Sequence, residues 1–199
     1  MLAVLTCVVT IGGLSPQAAA QQSRMVAASG PLDSAPDGWL AWAPAWSAKS
    51  GSVTWWSKDE TLTFAEQLAA SGIRTSTADP DAPVFLLKLD QGRVTHAYVT
   101  RMDSGIQVRD GALRWFVDVP EAESAAFLQS AWESGGESTL LYMLGHHPDV
   151  PGIEAFLTRT ADADIDIDHR KSALYGLGAL GTPSAHRTLL AFIRAARGT

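Results

Sequence analysis

Leu140-Leu141-Tyr142-Met143-Leu144-Gly145 returns as Ala173-Leu174-Tyr175-Gly176-Leu177-Gly178, 33 residues further along the chain. Each copy is followed by a short break containing Pro and then by an amphipathic segment. Ile153, Phe156 and Leu157 mark that segment after the first copy; Leu189, Leu190, Phe192 and Ile193 mark it after the second. Apolar residues at this spacing lie on one side of a helix, so the pattern predicts paired helices with small residues where they cross. Residues 120–199 are accordingly expected to form an α-helical repeat segment of the solenoid kind, in which each unit buries its apolar face only against its neighbours.

Such arrays usually need roughly three units, and the sequence carries about two. Covers are therefore expected at both ends. The segment upstream can provide one. At the other end an amphipathic helix with four large apolar residues leads directly to Thr199. This predicts that the last helix pairs with another chain, a second copy included, or that the reading frame is truncated.

Upstream of the repeat the apolar pattern alternates. Val84-Phe85-Leu86-Leu87-Lys88-Leu89 is rich in β-formers, Asp90-Gln91-Gly92 is turn chemistry, and Arg93 to Val99 resumes the alternation. Ile106-Gln107-Val108 and Leu113-Arg114-Trp115-Phe116-Val117 flank Arg109-Asp110-Gly111 in the same manner. Trp39-Leu40-Ala41-Trp42 and Val53-Thr54-Trp55-Trp56 add short aromatic runs, separated by Pro44 and the Gly51 region. Thr63-Phe64-Ala65-Glu66 has the form of a capping box, opening a short helix over Phe64 to Ser71 that Gly72 closes. The expectation is a small antiparallel β domain over 38–119, one face of it packed against the helices, and hence an α+β fold. Pro120, Glu121 and Glu123 suit the first turn of the helix that follows, and Gly135-Gly136 stops it.

The chain has 199 residues, 46% of them apolar and 18% charged, so it can bury a core and need not be disordered. Its net charge of −6, without any extended run of Lys or Arg, disfavours nucleic acid as a partner. Leu2 to Leu14 is an apolar stretch of secretory length, too short to span a membrane. Ala18-Ala19-Ala20 after it fits a signal-peptidase site. Residues 1–20 are expected to be a signal peptide and the mature protein to be periplasmic or secreted. No Lys or Arg precedes the stretch, so the signal is atypical or translation starts upstream; a buried N-terminal element is the alternative. Cys7, the only cysteine, lies inside the signal, which would leave the mature chain without thiol or disulfide chemistry. Residues 21–37, rich in Ala, Ser, Gln, Gly and Pro, read as a flexible linker.

Arg170-Lys171-Ser172-Ala173-Leu174-Tyr175-Gly176-Leu177-Gly178 resembles the R-x-x-A-x-x-x-L-G signature of bacterial HEAT-like repeats, also called PBS-lyase HEAT-like. The stretch LLKLDQGRV…MDSGIQVRDGALRWFVDVPEAESAAFL is similar to a β-containing segment that precedes such repeats in exported bacterial proteins of unknown function. Together these cover roughly residues 83 to 196. The resemblance implies a binding scaffold and says almost nothing about chemistry. Members of the group often carry a Cys where this chain has Ser104, so any thiol role is lost here. A bilin-lyase activity would rest on shared fold alone.

Asp162-x-Asp164-x-Asp166-x-Asp168 imitates the start of an EF-hand loop, but its sixth position is Ile167 and its twelfth Ala173, where a Gly and a bidentate Glu are required. An acidic interhelical loop with Asp166 as a cap is expected instead. His146 and His147, with Asp149, could be ligands or an acid–base pair, yet adjacent residues on a helix point about 100° apart and cannot readily share an ion. No metal or other cofactor is expected. Glu60, Glu66 and Glu137 are conceivable hydrolase carboxylates, with nothing to single them out. Arg170 is expected to pair with an acidic group of a neighbouring turn. The Trp-rich segment, with Trp39, Trp42, Trp46, Trp55 and Trp56, is either core or a glycan- or peptide-binding surface. The expectation that results is an extracytoplasmic protein-interaction scaffold without catalytic activity. Tyr142, Met143, His146, Lys171, Ser172 and Tyr175 are its candidate outward-facing residues. A carboxylate hydrolase, a bilin-type lyase and a Trp-mediated carbohydrate-binding module are the alternatives.

Overall fold

The structure is a computed structural model that describes residues 25–44, 62–75, 79–106, 108, 111–163 and 166–197. The expected signal segment 1–20, the run Val53 to Trp56, and Trp46, Glu60, Arg109, Asp110 and Asp164 lie outside the described residues.

Five strands form one sheet: β1 (Met25–Ala28), β2 (Gly38–Trp42), β3 (Pro83–Asp90), β4 (Arg93–Arg101) and β5 (Leu113–Phe116), in the order β1-β5-β2-β3-β4. Helix α1 (Phe64–Ala70) lies between β2 and β3 in the chain. After the sheet come α2 (Glu121–Glu133), α3 (Thr139–Leu144), α4 (Ile153–Asp162), α5 (Ile167–Leu180) and α6 (Pro183–Arg197).

The sheet is mixed, which corrects the small antiparallel domain. The β2–β3 and β3–β4 pairs are antiparallel, while β5 runs parallel to both of its neighbours, β1 and β2. The reason lies in residues 25–37, expected as a tether. They supply β1, then a single 3-10 turn (Leu32–Ser34) whose Leu32 is fully buried, and return as β2. The two strands point the same way with a gap between them, and β5 fills the gap. Asp37, from the same stretch, accepts hydrogen bonds from the backbone N–H groups of Gln91 and Gly92, both at 2.9 Å. These two residues have φ of 52° and 71°, as a tight hairpin turn requires, so the carboxylate steadies the β3–β4 turn in a conformation that Gln adopts reluctantly.

Both faces of the sheet are covered. Leu40, Trp42, Phe85, Leu87, Ala97 and Val99 pack against the helices that follow the sheet. On the other face Ala41, Val84, Leu86, Leu113 and Trp115 pack against Phe64 and Leu68 of α1. This double burial explains why β3 reads as an uninterrupted apolar run. Helix α1 begins with the expected capping box: Glu66 N donates to Thr63 Oγ1, and Thr63 N donates to the Glu66 carboxylate. Ile106 and Val108 belong to none of the five strands, although Val108 is buried.

The expected solenoid is corrected too. A single cluster of buried side chains runs from the sheet through α2, α3, α4 and α5 to Ala185 of α6, so the helices share the core of the sheet instead of stacking outward as units with cores of their own. Helix α3 is six residues long, and Leu140, Leu141, Met143 and Leu144 are all fully buried. It lies between the sheet and α5. The contact with α5 is backbone against backbone. A Cβ on Gly145 would stand 2.2 Å from Gly176 O, and one on Gly176 would stand 2.5 Å from Leu141 O. The glycines of the recurring pattern do mark a helix crossing, but the two copies meet each other there and occupy unlike places.

Candidate protein-docking face

Helix α5 starts on Asp166, whose carboxylate accepts from Asp168 N at 2.8 Å. The carboxylate takes up an N–H that the first turn leaves without an intrahelical partner, and it complements the positive end of the helix dipole. Among the described residues Arg170 pairs with no acidic group. Its guanidinium donates to Ala161 O (3.1 Å) and Ala163 O (3.2 Å), the carbonyls that end α4. A cation at a helix C-terminus satisfies such carbonyls and fixes the α4–α5 corner. Helix α6 is tied in by Glu154 of α4, which accepts from Thr182 Oγ1 (3.0 Å) and Ser184 Oγ (2.7 Å), while Thr182 Oγ1 accepts from Ala185 N at 3.1 Å.

Among the described residues, the four most exposed large apolar side chains all belong to these two helices. Tyr175 is 67% exposed, Ile167 55%, Leu190 49% and Ile193 48%. Ile167, Lys171, Tyr175 and Gly178 recur every three to four residues, and such spacing puts them on one side of α5. Gly178 faces Leu189 of α6, whose Cδ1 would lie 3.9 Å from an added Cβ. Leu189 and Ile193 are one turn apart, so the α5 flank and the α6 flank adjoin along this line. Leu189 and Phe192 are partly buried against the core, which leaves Leu190 and Ile193 to the surface. The charges around them are one-sided. The sequence of α6 holds His186, Arg187, Arg194 and Arg197 and not one carboxylate, in a chain of net charge −6. Lys171 makes an exposed ion pair with Asp168 at 3.5 Å.

The sequence-derived candidates divide between two places. Lys171 and Tyr175 are exposed and Ser172 half-buried on α5. Met143 and His146, expected to face outward, are 0% and 2% exposed. The sheet is what encloses them: His146 packs its ring on Phe85 of β3 at 5.8 Å between centroids and on Tyr142 at 5.0 Å. Tyr142 is half-buried, and burial raises its phenol above the ordinary range. The structure therefore does not bring Tyr142, Met143 and His146 into one surface with Lys171 and Tyr175. The sequence reading passed over Ile167, although it stands one turn before Lys171 in the same spacing.

Of the carboxylates conceivable for a hydrolase, Glu66 and Glu137 are described, and each is engaged with backbone N–H groups. Glu66 is held by the Thr63 backbone N–H and hydroxyl, which keep its carboxyl below the usual range. Glu137 accepts the backbone N–H of Ala97 on β4 at 3.0 Å. Among the described residues, no three of His, Cys, Asp and Glu converge as metal ligands. Trp42 is fully buried core, whereas Trp39 lies half-buried with His96 and Tyr98 around it at 6.2 and 6.3 Å and Lys88 Nζ 5.7 Å from its ring. No helix among the described residues is long and apolar enough to cross a membrane. No protein-family model, curated protein or solved structure matches this chain.

Proposed function

We propose that this chain is an extracytoplasmic protein-binding module, without catalytic activity of its own, that docks a partner on the joined flanks of α5 and α6. The observation that carries the proposal is the concentration of exposed Ile167, Tyr175, Leu190 and Ile193 on two adjacent helices. Scattered apolar side chains on a surface need no explanation, but adjoining large ones beside basic residues suit an interface, where Tyr and Arg contribute most. The all-basic charge of α6 favours an acidic partner surface. It also disfavours symmetric pairing of two α6 helices, because a two-fold axis would set Arg against Arg. The apolar Leu2 to Leu14 stretch supports export.

The test is affinity capture from native envelope extract with the purified chain, beside the variant Tyr175→Ser/Ile193→Ser. Recovery of a specific protein by the wild type and its loss with the variant are expected. Equal recovery by both refutes the docking face, and sedimentation of the purified chain as a dimer would make a second copy the partner.

One observation favours carbohydrate binding instead: Trp39, His96 and Tyr98 form an aromatic group, of which Tyr98 is 41% exposed. Retardation of the wild type, but not of Trp39→Ala/Tyr98→Ala, in gels containing soluble polysaccharide would establish it.

A further inference from the structure

His146 and His147 sit where two strands and two helices meet, and they have very different partners. His147 Nδ1 lies 3.1 Å from Met143 O and its Nε2 lies 2.8 Å from Ser124 Oγ of α2. The carbonyl can only accept, so Nδ1 carries the proton and Nε2 accepts from the serine hydroxyl. Ser124 Oγ in turn accepts from Trp42 Nε1 of β2 at 2.9 Å. The chain Trp42–Ser124–His147–Met143 thus links sheet, α2 and α3, with Ser124 Oγ both accepting and donating and all donors running in one direction. His146, by contrast, is buried with neither ring nitrogen hydrogen-bonded among the described residues. Both rings also rest on Phe85, at 5.8 and 5.7 Å between centroids.

From this geometry we propose that the histidine pair is an acid-sensitive latch, which holds α2 and α3 on the sheet while both rings are neutral and releases that layer when they take up protons. A proton on His147 Nε2 turns an acceptor into a donor and breaks the bond in which the ring accepts from the serine hydroxyl. A proton on His146 produces a buried cation and an additional N–H with no acceptor, a situation that proteins avoid. Among the described residues no compensating charge is at hand. From β3 both rings meet Phe85, from α2 His147 meets Ser124, and from α3 His146 meets Tyr142, whose phenol stays neutral in this range. Glu121 at the start of α2 has its carboxyl raised by burial and then by Asp149, in the loop after α3, and Glu123 accepts from Leu32 N at 2.9 Å. Neither histidine forms an ion pair among the described residues.

Burial accordingly lowers both histidines to about 4, with repulsion from His147 adding to the effect on His146, while hydrogen bonds to the Leu144 and Met143 backbone partly oppose it on His147. The sign follows. Between the ordinary histidine value of about 6.5 and the folded value, the open state binds more protons, so stability is present in full above pH 6.5 and is lost as pH falls toward 4. At pH 5 each histidine shifts the equilibrium toward the open state roughly 30-fold, and the pair roughly a thousandfold. Helix α5 rests on α3 through Gly145 and Gly176, so release of α3 also removes the backing of the exposed α5 flank.

The experiment has two arms. Urea unfolding at pH 7.5 and pH 5 is measured for the wild type, His146→Phe and Ser124→Ala/His147→Leu. Removing either histidine should weaken the pH dependence by roughly 30-fold relative to the wild type; an unchanged pH dependence in both variants overturns the proposal. In the wild type itself, which needs no variant to fold, the imidazole resonances of both residues should stay unprotonated down to pH 5, and titration of either near 6.5 overturns it. Hydrogen exchange at pH 5, corrected for intrinsic rate, should show α2 and α3 amides losing protection before those of β3. Simultaneous loss throughout the chain would reduce the latch to ordinary acid denaturation and refute it.

Discussion

Helices α3 and α5 carry the two copies of one sequence pattern and end in opposite environments. In α3 the pattern is surrounded: Leu140, Leu141, Met143 and Leu144 are wholly buried between the sheet and α5. In α5 it has one buried side, with Ala173 and Leu177 at 0% exposure, and one open side, with Tyr175 at 67%. Equivalent residues therefore differ: Tyr142 packs against His146, and Tyr175 projects outward. A local pattern states which residues are able to form a buried stripe. What lies against the other sides is decided by segments remote in sequence. For α3 those are β4 of the sheet and α5, and for α5 no described element covers the second side.

The largest effect that separates the two helices is expected at their crossing. Gly176→Ala would ordinarily gain from helix propensity, by up to about 1 kcal/mol. Here its Cβ would stand 2.5 Å from Leu141 O and 3.1 Å from a Leu157 methyl, and the backbone oxygen cannot give way without moving α3. A net loss of about 3 kcal/mol or more is expected in urea unfolding. The same substitution two residues on should have the reverse sign. At Gly178 the nearest atom is Leu189 Cδ1 at 3.9 Å, an ordinary contact, so Gly178→Ala should stabilise by roughly 0.5–1 kcal/mol. If both alanines destabilise alike, α3 and α5 do not meet at Gly176 alone and the contrast between the two helices fails.

Next in size is the seam beneath α3. Ser124→Ala leaves Trp42 Nε1 without an acceptor and His147 Nε2 without a donor, both in the core, and should destabilise by roughly 1–3 kcal/mol at pH 7.5. No matching effect is expected at Ser172, on the half-buried part of α5, where among the described residues no hydrogen bond of the side chain bridges layers. A Ser124→Ala variant as stable as the wild type would show that the polar chain does not join the layers.

What could be read from the sequence was what neighbours in sequence decide. The Thr63–Glu66 capping box, the β3–β4 hairpin around Gln91-Gly92 and the Asp166 cap are each complete within a few residues, and each is found where its residues predict. The parallel pairing of β5 was not legible, because Met25 meets Leu113 only after the intervening chain has folded, and four residues of β1 carry no pattern of their own. Nor was the burial of His146 and Met143. A histidine near a helix C-terminus reads as an exposed cap when nothing local shows that a sheet is packed over it. Lys171 and Tyr175 were legible as one flank of α5 from their four-residue spacing, since that property belongs to the helix itself.

The smallest effect is expected on that flank, and its smallness is what matters. Lys171 and Asp168 stand 3.5 Å apart with side chains 56% and 72% exposed, so water and salt screen their attraction, and ordering two mobile side chains opposes it. Lys171→Ala should change stability by less than about 0.5 kcal/mol, and Tyr175→Ser, at 67% exposure, by a similarly small amount. Neither residue is then explained by what it does for the fold. If either substitution instead lowers the unfolding midpoint as far as Ser124→Ala does, the open side of α5 is structural after all, and the difference between the helices on which the docking face depends disappears.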